Sequence, residues 1–459
     1  MKLMKIPTVC FVFLMGGFLA GCNKPPNQSD QGWTLPMGVT SSIDSLAGEV
    51  TLYKWHDTIL VLQELGDRSA RCFAMSNGKS NISSWAETPL IGIPHGYFWA
   101  LPAMDETSDK VFFLQGYMED NKFQMSCLIG RMSGNVAVHD VTEQKWVMDK
   151  GKVFGADNVR FYGLYEPGKR DFPLLGLGIM EGSELYIPYF VRGFTYDRSG
   201  TAIARGPNAD GVFHSSDSGA TWQMERISDF DAWGPSVYRT KNYYYYFATR
   251  GRRPGHELWF SRKLNGSGSW DTPKPVVAKT YAMEFGNYVA AAENDTVHLC
   301  WMDGRHNMWR FNIDGLNIEN DDIVYCHRKD SDSGWSKDVV LSKGVLYCYA
   351  PSISVEGDKI VVAWAGIQTA GKWHTDYDPN DIYYVTSKDG GNTWSKPLKV
   401  TDGVKDGMTA GHPQVMLLNG VIHLFYIQGK MNLQQLSPGL TKLNQPPWPI
   451  YYTQRSFPE

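Results

Sequence analysis

Ser215 to Trp222 reads Ser-Ser-Asp-Ser-Gly-Ala-Thr-Trp, and Ser387 to Trp394 reads Ser-Lys-Asp-Gly-Gly-Asn-Thr-Trp. Both fit Ser-x-Asp-x-Gly-x-Thr-Trp, and each follows a β-type run, GVFH at 211–214 and DIYYVT at 381–386. The pattern describes a tight turn between antiparallel strands. Asp217 and Asp389 are placed to accept hydrogen bonds from backbone N–H groups and pin the turn. Gly219 and Gly391 supply a positive φ at no steric cost. Trp222 and Trp394 bring the apolar area that fastens one hairpin to its neighbour. Weaker copies lie between them: KLNGSGSW at 263–270, with Asn265 in the Asp place, and RKDSDSGW at 328–335, with Asp330 there.

Each of these turns closes a similar module of apolar strand, turn, second apolar strand, variable loop and box-leading strand. The modules begin near Glu184 (ELYIPYFV), Ser236 (SVYRTKNYYYYFAT), Asn287 (NYVAAAENDTVHLCWMD) and Ser352 (SISVEGDKIVVAWAG). A spacing of about 50–65 residues suits four-stranded propeller blades. Residues 51–85 and 97–140 read as two earlier units. Residues 414–428 give two strands of a last one, which a strand from the N-terminal side is expected to complete. The repeated turn resembles the Asp box of the sialidase-like β-propellers. That resemblance implies an all-β chain, a single β-propeller of six or seven four-stranded blades with Asp-box turns, spanning residues 32–459. In that family the boxes are structural turns, usually far from the catalytic face.

With 16 Trp, 24 Tyr and 46 Gly in 459 residues, the composition favours many short strands joined by turns. A formal net charge of −4 without a basic block argues against nucleic-acid binding. The N-terminus reads as a targeting segment. Lys2 and Lys5 precede a short apolar run, and Leu19-Ala20-Gly21-Cys22 forms a bacterial lipobox. Residues 1–22 are thus expected to be a lipoprotein signal peptide with Cys22 lipidated, and residues 23–31 a flexible tether. The apolar run is too short to span a bilayer. The expected location is an exported bacterial lipoprotein at the outer membrane or cell surface, touching membrane through its lipid alone. Cys72, Cys127, Cys300, Cys326 and Cys348 contain no CxxC pair; they read as small buried apolar residues, with one disulfide left open and no metal cluster.

In a propeller the innermost strands start around a central funnel, where ligands sit. The residues there or on nearby loops include His95, Tyr97, Tyr189, Arg192, Trp233, Arg239, Tyr288, Tyr349 and His412, with Arg205, Arg250, Asp303, Arg305 and His306. This aromatic and cationic set suits an acidic oligosaccharide or polysaccharide, since Arg pairs bidentately with a carboxylate. The sialidase resemblance implies three carboxylate-binding arginines, a Tyr nucleophile assisted by a Glu, and an Asp acid/base. Arg250, which ends the strand pair after Trp233-Gly234-Pro235, matches one triad arginine; Gly234 stands where the family has the Glu. Arg305 and Arg310 are candidates for another arginine, and Tyr349 falls beside the nucleophile position. The catalytic candidates are His95, Tyr189, Tyr349 and Asp303. The substrate-binding candidates are Arg192, Arg205, Trp233, Arg250, Arg305, His306 and His412. No cofactor is called for; His374, Asp376 and Asp378 offer a calcium loop as an alternative. The reading is a cell-envelope glycoside hydrolase acting on an acidic glycan. Two alternatives stand beside it: a polysaccharide lyase resembling those that use His, Tyr and Arg on uronates, here His95, Tyr189 and Arg205, and a glycan-binding propeller without catalysis.

Overall fold

The chain is described from a computed structural model, which covers residues 32–34, 37–38, 47–56, 58–65, 70–75, 86–88, 97–98, 103–105, 109–119, 122–132, 138–148, 160–161, 174–175, 178–191, 193–196, 202–205, 209–229, 232–250, 257–277, 288–304, 311–313, 316–318, 321–367, 380–403, 408–430 and 449–458. Among these residues all regular structure is β-strand, and every strand pairing is antiparallel. The sheets are meanders whose strands follow one another in chain order.

The first sheet holds Ala47–Trp55, Thr58–Leu65, Ala70–Met75 and Ala86–Thr88. In the second, Tyr97–Phe98 and Ala103–Asp105 both pair with Lys110–Glu119, followed by Lys122–Met132 and Val138–Met148. In the third, Leu174–Leu175 and Ile179–Glu181 pair with Glu184–Val191, then come Ala209–Ser215 and Gln223–Ser228. The fourth holds Ala232–Arg239, Tyr243–Arg250, Glu257–Leu264 and Lys274–Pro275. The fifth holds Tyr288–Glu293, Thr296–Asp303, Asp322–Lys329 and Val339–Val340. The sixth holds Leu346–Glu356, Lys359–Ile367, Asp381–Ser387 and Leu398–Lys399. The seventh is built from Met408–Leu418, Val421–Lys430 and Ile450–Ser456, with Met37–Gly38 as its fourth strand.

Two small additions stand apart. A three-stranded sheet of Arg160–Phe161, Gly193–Tyr196 and Ala202–Arg205 interrupts the third sheet, and a hairpin of Phe311–Ile313 and Leu316–Ile318 interrupts the fifth.

The apolar pattern explains the arrangement. Central strands such as Thr296–Asp303 and Asp381–Ser387 are buried almost end to end. Their sequences, TVHLCWMD and DIYYVTS, are near-continuous runs rather than alternations, as strands covered on both faces require. Each sheet is covered by its neighbours in chain order. Tyr245, Phe247, Leu258 and Phe260 of the fourth pack with Val297, Leu299, Trp301 and Val324 of the fifth. Ile323 and Tyr325 of the fifth meet Ile360, Val362 and Trp364 of the sixth. Val361, Ala363 and Tyr384 of the sixth meet Val415, Leu417 and Leu424 of the seventh. Phe425, Ile427, Ile450 and Tyr452 of the seventh then pack against Ile59 and Val61 of the first. Smaller contacts link the remaining neighbours: His56 Nε2 with Asp109 Oδ1 at 2.8 Å, Lys110 Nζ to Ser218 Oγ at 3.2 Å, and the Tyr186 and Tyr244 rings 4.1 Å apart. The series therefore closes on itself.

The chain ends make the closure. Thr34 N–H donates to the Gln454 carbonyl at 2.9 Å, and Gln454 N–H donates to Thr34 Oγ1 at 3.0 Å. Trp33 is buried edge-on against Tyr384 at 5.1 Å, with the Arg455 guanidinium 5.7 Å from the Trp33 ring. The N-terminal strand thus takes the outer place, and Ile450–Ser456 supplies the third strand that the sequence reading lacked.

Both Ser-x-Asp-x-Gly-x-Thr-Trp turns, which resemble the Asp box and give the Asp-box end its name, have the same wiring. Ser387 Oγ donates to Asp389 Oδ1 at 2.8 Å and accepts Gly391 N–H at 2.9 Å; Thr393 donates its N–H to Oδ1 and its hydroxyl to Oδ2 of Asp389. Ser215, Asp217, Gly219 and Thr221 repeat these bonds. Gly219 and Gly391 have φ of 86° and 91°. The carboxylates are at the surface, and the buried bond of each turn is the one from Gly N–H to Ser Oγ. The donors from Thr221 and Thr393 hold Asp217 and Asp389 at about 2.

The third module is parsed differently from the sequence reading. ELYIPYFV at 184–191 is the second strand of its sheet, because Ile179–Glu181 pairs ahead of it across a turn with Gly182 at φ 58°.

Candidate functional site

In these meanders the first-to-second hairpins and the Asp boxes share one end. Gly390 N–H donates to the Asp358 carbonyl at 3.0 Å, and Ser218 N–H to the Ser183 carbonyl at 3.0 Å. The opposite end is where first strands begin, second strands finish and third strands start. That end carries bulges in several first strands.

The first strands of the fourth, sixth and seventh sheets each bulge near their start, between Trp233 and Ser236, Tyr349 and Ser352, and Gly411 and Gln414. Each bulge holds one left-handed residue: Gly234 at φ 54°, Ala350 at 50° and His412 at 48°. Each is followed by proline, giving Trp-Gly-Pro-Ser, Tyr-Ala-Pro-Ser and Gly-His-Pro-Gln at 233–236, 349–352 and 411–414. Proline has no N–H to offer a ladder, so a bulge is where it belongs. A left-handed Ala or His costs on the order of 1–2 kcal/mol, which the surrounding pairing has to sustain. Bulges of this kind re-aim the side chains before them.

Tyr349, the residue before one bulge, and His412, the left-handed residue of the next, meet there. Their rings are 6.0 Å apart at 76°, on neighbouring sheets, and both are half-buried. Gly411 makes the room: a Cβ there would stand 2.8 Å from Tyr349 Oη. Asn380 Nδ2 lies 3.4 Å from the same oxygen, and Asn380 is itself locked by its N–H to Thr409 Oγ1 and its carbonyl to Ala410 N–H. In the fourth sheet Tyr288 Oη ties the bulge down, bonding the Gly234 carbonyl at 2.6 Å, the Phe247 carbonyl at 3.0 Å and Ser236 Oγ at 2.7 Å. Trp233 pairs across from Thr249 and Arg250 across from Ala232, so both belong to this end. The Arg250 guanidinium lies 4.7 Å from the Trp259 ring, over the third strand of its sheet, and Trp259 Nε1–H donates to Glu257 Oε2 at 2.9 Å.

Other sequence candidates have different places. Tyr189 is 1% exposed against Phe213, at 4.6 Å, and burial raises its phenol well above the usual range. It is on a second strand and packs in the core. Asp303 is 0% exposed, with Trp301 Nε1–H donating to it at 2.7 Å, so it too is an interior acceptor here. Arg205 pairs with Phe194 in the small inserted sheet, whereas Tyr189 pairs with Gly211; the two are not on adjacent strands of one sheet. Arg239 is at the Asp-box end, ion-paired with Glu181 and stacked near Tyr244. His95, Arg192, Arg305, His306, Cys22 and the 374–378 loop lie outside the described residues. Cys300, Cys326 and Cys348 are thiols buried in the core. Among the described residues no group of His, Cys, Asp or Glu is arranged to hold a metal ion.

Sequence reasoning missed a second repeated fastening at the bulge end. An aspartate near the start of a third strand receives a hydroxyl from the end of the fourth or just after it: Ser228 to Asp210, Ser342 to Asp322 at 3.0 Å, and Thr401 to Asp381 at 2.8 Å. Burial raises Asp210 and Asp381 while these bonds oppose it. The signal was present as an Asp followed 18 to 20 residues later by Ser or Thr.

No protein-family model matches the chain, and no curated protein does. Among solved structures it is similar to Trypanosoma rangeli sialidase in complex with the inhibitor DANA, at 8% identity and TM-score 0.42, over 89% of this chain and 55% of that one. It is also similar to the polysaccharide lyase Uly1, at 10% identity and TM-score 0.47, over 91% of each chain. The intramolecular trans-sialidase from Ruminococcus gnavus, in complex with oseltamivir carboxylate, aligns at 12% identity and TM-score 0.38, over 85% of this chain and 93% of that one. The chain spans about half the length of the Trypanosoma rangeli enzyme.

Proposed function

We propose that the closed series of sheets is a sialidase-like β-propeller, each four-stranded sheet one blade, that processes an acidic glycan at the bulge end. The observation that carries this reading is the convergence of the Tyr349 phenol and the His412 imidazole on bulged strands of neighbouring sheets. A strained backbone that sets out a phenol, an imidazole and, in the fourth sheet, the Trp233 position is costly for a core and useful for a ligand. Aromatic rings offer a face to a pyranose, and Arg250 offers a planar fork to a carboxylate.

The first reaction is glycoside hydrolysis. Tyr349 Oη attacks the anomeric carbon, its proton passing to His412 directly or through one water, as the bond to the aglycone oxygen breaks and solvent protonates that oxygen; a second water then displaces Tyr349 from the sugar, and His412 returns the proton to the phenol. The same pair favours a second reading: of an imidazole and a phenol side by side, one takes the C5 proton of a uronate and the other gives a proton to the departing oxygen as the C4–O bond breaks and the C4–C5 double bond forms. The two differ in product. The chain from residue 23 onward is incubated with sialylated and uronate-containing glycans, and products are followed by mass and ultraviolet absorbance. Hydrolysis gives a new reducing end without absorbance; elimination gives an absorbing unsaturated uronate. Retention without turnover would reduce the protein to a binder, and neither binding nor turnover of any acidic glycan would overturn the proposal.

The protein is exported and lipidated on Cys22, on the strength of the lipobox. Cys22→Ala is expected to leave it unprocessed or soluble. Detergent-phase retention of that variant with a labelled acyl chain would remove this part of the reading.

A further inference from the structure

We infer that the Asp-box end of the molecule is its membrane-facing side, so that the bulge end, with Tyr349 and His412, is presented away from the lipid surface. The inference rests on the lipid anchor at Cys22 and adds the geometry of the chain's entry.

Gly32 lies beside the Arg455 guanidinium, which a Cβ on it would meet at 3.7 Å. Trp33 is buried, Thr34 bonds to Thr453 and Gln454, and Met37 and Gly38 pair with Tyr452 and Tyr451. Residues 32–34 and 37–38 therefore follow one another antiparallel to Ile450–Ser456. That strand finishes at the end where Phe457 N–H donates to the Gly420 carbonyl of the Val421 hairpin. This is the hairpin and Asp-box end. The chain before Gly32 thus departs there, and Trp33 fixes the point of departure.

The count of residues does the rest. Cys22 is ten positions before Gly32. Ten residues span about 35 Å when fully extended and about 18 Å as a flexible coil. The neighbouring second strand Lys359–Ile367 has nine residues, or about 30 Å of length. To turn the bulge end toward the lipid, the tether would have to run the whole side of the molecule almost fully extended. With the Asp-box end inward its relaxed length suffices.

The test is energy transfer on vesicles. Asp358→Cys puts a dye on an exposed turn at the Asp-box end, and Asp402→Cys puts one on an exposed loop at the opposite end. The acylated full chain is reconstituted into phosphatidylethanolamine–phosphatidylglycerol vesicles carrying a headgroup acceptor. The chain without an added cysteine sets the background. Transfer from position 358 is expected to exceed that from 402 by about twofold or more, given the strand length between them. A Gly/Ser insertion of about 30 residues after Gln31 is expected to erase the difference. Equal transfer, or greater transfer from 402, overturns the inference. If no acyl chain is found on Cys22, the anchor reading fails by itself. The same two labels are then compared on the chain from residue 22 onward, held to nickel-chelating vesicles by a polyhistidine tag at that residue, and the entry geometry is decided there by the same criterion.

Discussion

Gly391→Ala tests how the repeated turn fastens one sheet to the next. Gly391 has a φ of 91°, where a Cβ costs about 1–2 kcal/mol. That Cβ would also stand 2.0 Å from Tyr325 Oη and 2.6 and 2.7 Å from two carbons of its ring. Comfortable contact is about 3.5–4.0 Å, so either the turn or the ring has to move by more than an ångström. The ring is not free to yield. Tyr325 is buried, its Oη is 2.7 Å from His298 Nδ1, and its ring stands edge-on to Trp394 at 4.7 Å. Overpacking of this kind costs about 1–3 kcal/mol. The expected total is about 2–5 kcal/mol, a large part of the roughly 5–15 kcal/mol that holds a domain folded. Gly390→Ala is the control. Its φ is 69°, but the nearest atom to its Cβ is Asp358 Oδ1 at 3.7 Å, so only the backbone cost of about 1–2 kcal/mol applies. Both variants are measured by equilibrium denaturation in urea. A Gly391→Ala loss no larger than that of Gly390→Ala would refute the claim that this turn is seated against the fifth sheet by close approach.

Ser387→Ala removes the acceptor of a buried N–H, and a loss of about 1–3 kcal/mol is expected in the same denaturation assay, exceeding that of Asp389→Ala, whose bonds face water. His214 is held between Glu225 at 3.0 Å and Glu184 at 2.6 Å, and its bond to Glu225 leads those that raise its pKa despite burial. A raised folded value means that its stabilisation is complete below the ordinary imidazole range and is lost as pH rises through the folded value, so the stability gap between the native chain and His214→Gln should shrink on raising pH above neutral. Burial alone would raise Glu225, but His214 and Lys263 hold it at about 2, so its contribution is present above the usual carboxylate range and disappears as pH falls toward 2; acid titration of Glu225→Gln should lack that transition. Tyr349→Phe should keep the melting temperature and lower turnover of the identified glycan by about a hundredfold or more, with binding retained. Arg250→Lys should weaken acidic-glycan binding about tenfold while leaving neutral sugars unaffected; unchanged acidic binding would confine Arg250 to its stack on Trp259.

The sheets were legible where the sequence repeats and obscure where a repeat is short. The two matching turns were legible through Asp217, Gly219 and Trp222 and their counterparts, because a turn is a local object whose hydrogen bonds close within a few residues. The long apolar runs of the fourth to seventh sheets were equally plain. The third sheet was misparsed because its first strand is broken into Leu174–Leu175 and Ile179–Glu181, too short to show a period. That moved ELYIPYFV to the wrong rank and made the core residue Tyr189 look like a lining residue.

The site itself was legible as residue types at one end of the sheets, and no further. Trp233, Arg250, Tyr349 and His412 belong to that end because strand order alone fixes which ends coincide. Which way each side chain points depends on register. Counting by twos back from Ser352, which pairs with Ala363, puts Tyr349 on the opposite face from Ser352; the bulge inserts one residue, pairs Tyr349 with Ala365, and reverses that parity. The same insertion acts between Ser236 and Trp233 and between Gln414 and Gly411. The Pro at 235, 351 and 413 marks all three, since a residue without an N–H has no place in a regular ladder. Read as a repeat in its own right, that proline aligns Tyr349 with Gly411, a position without a side chain, and so marks the room beside the Tyr349 phenol that His412, one residue on, borders.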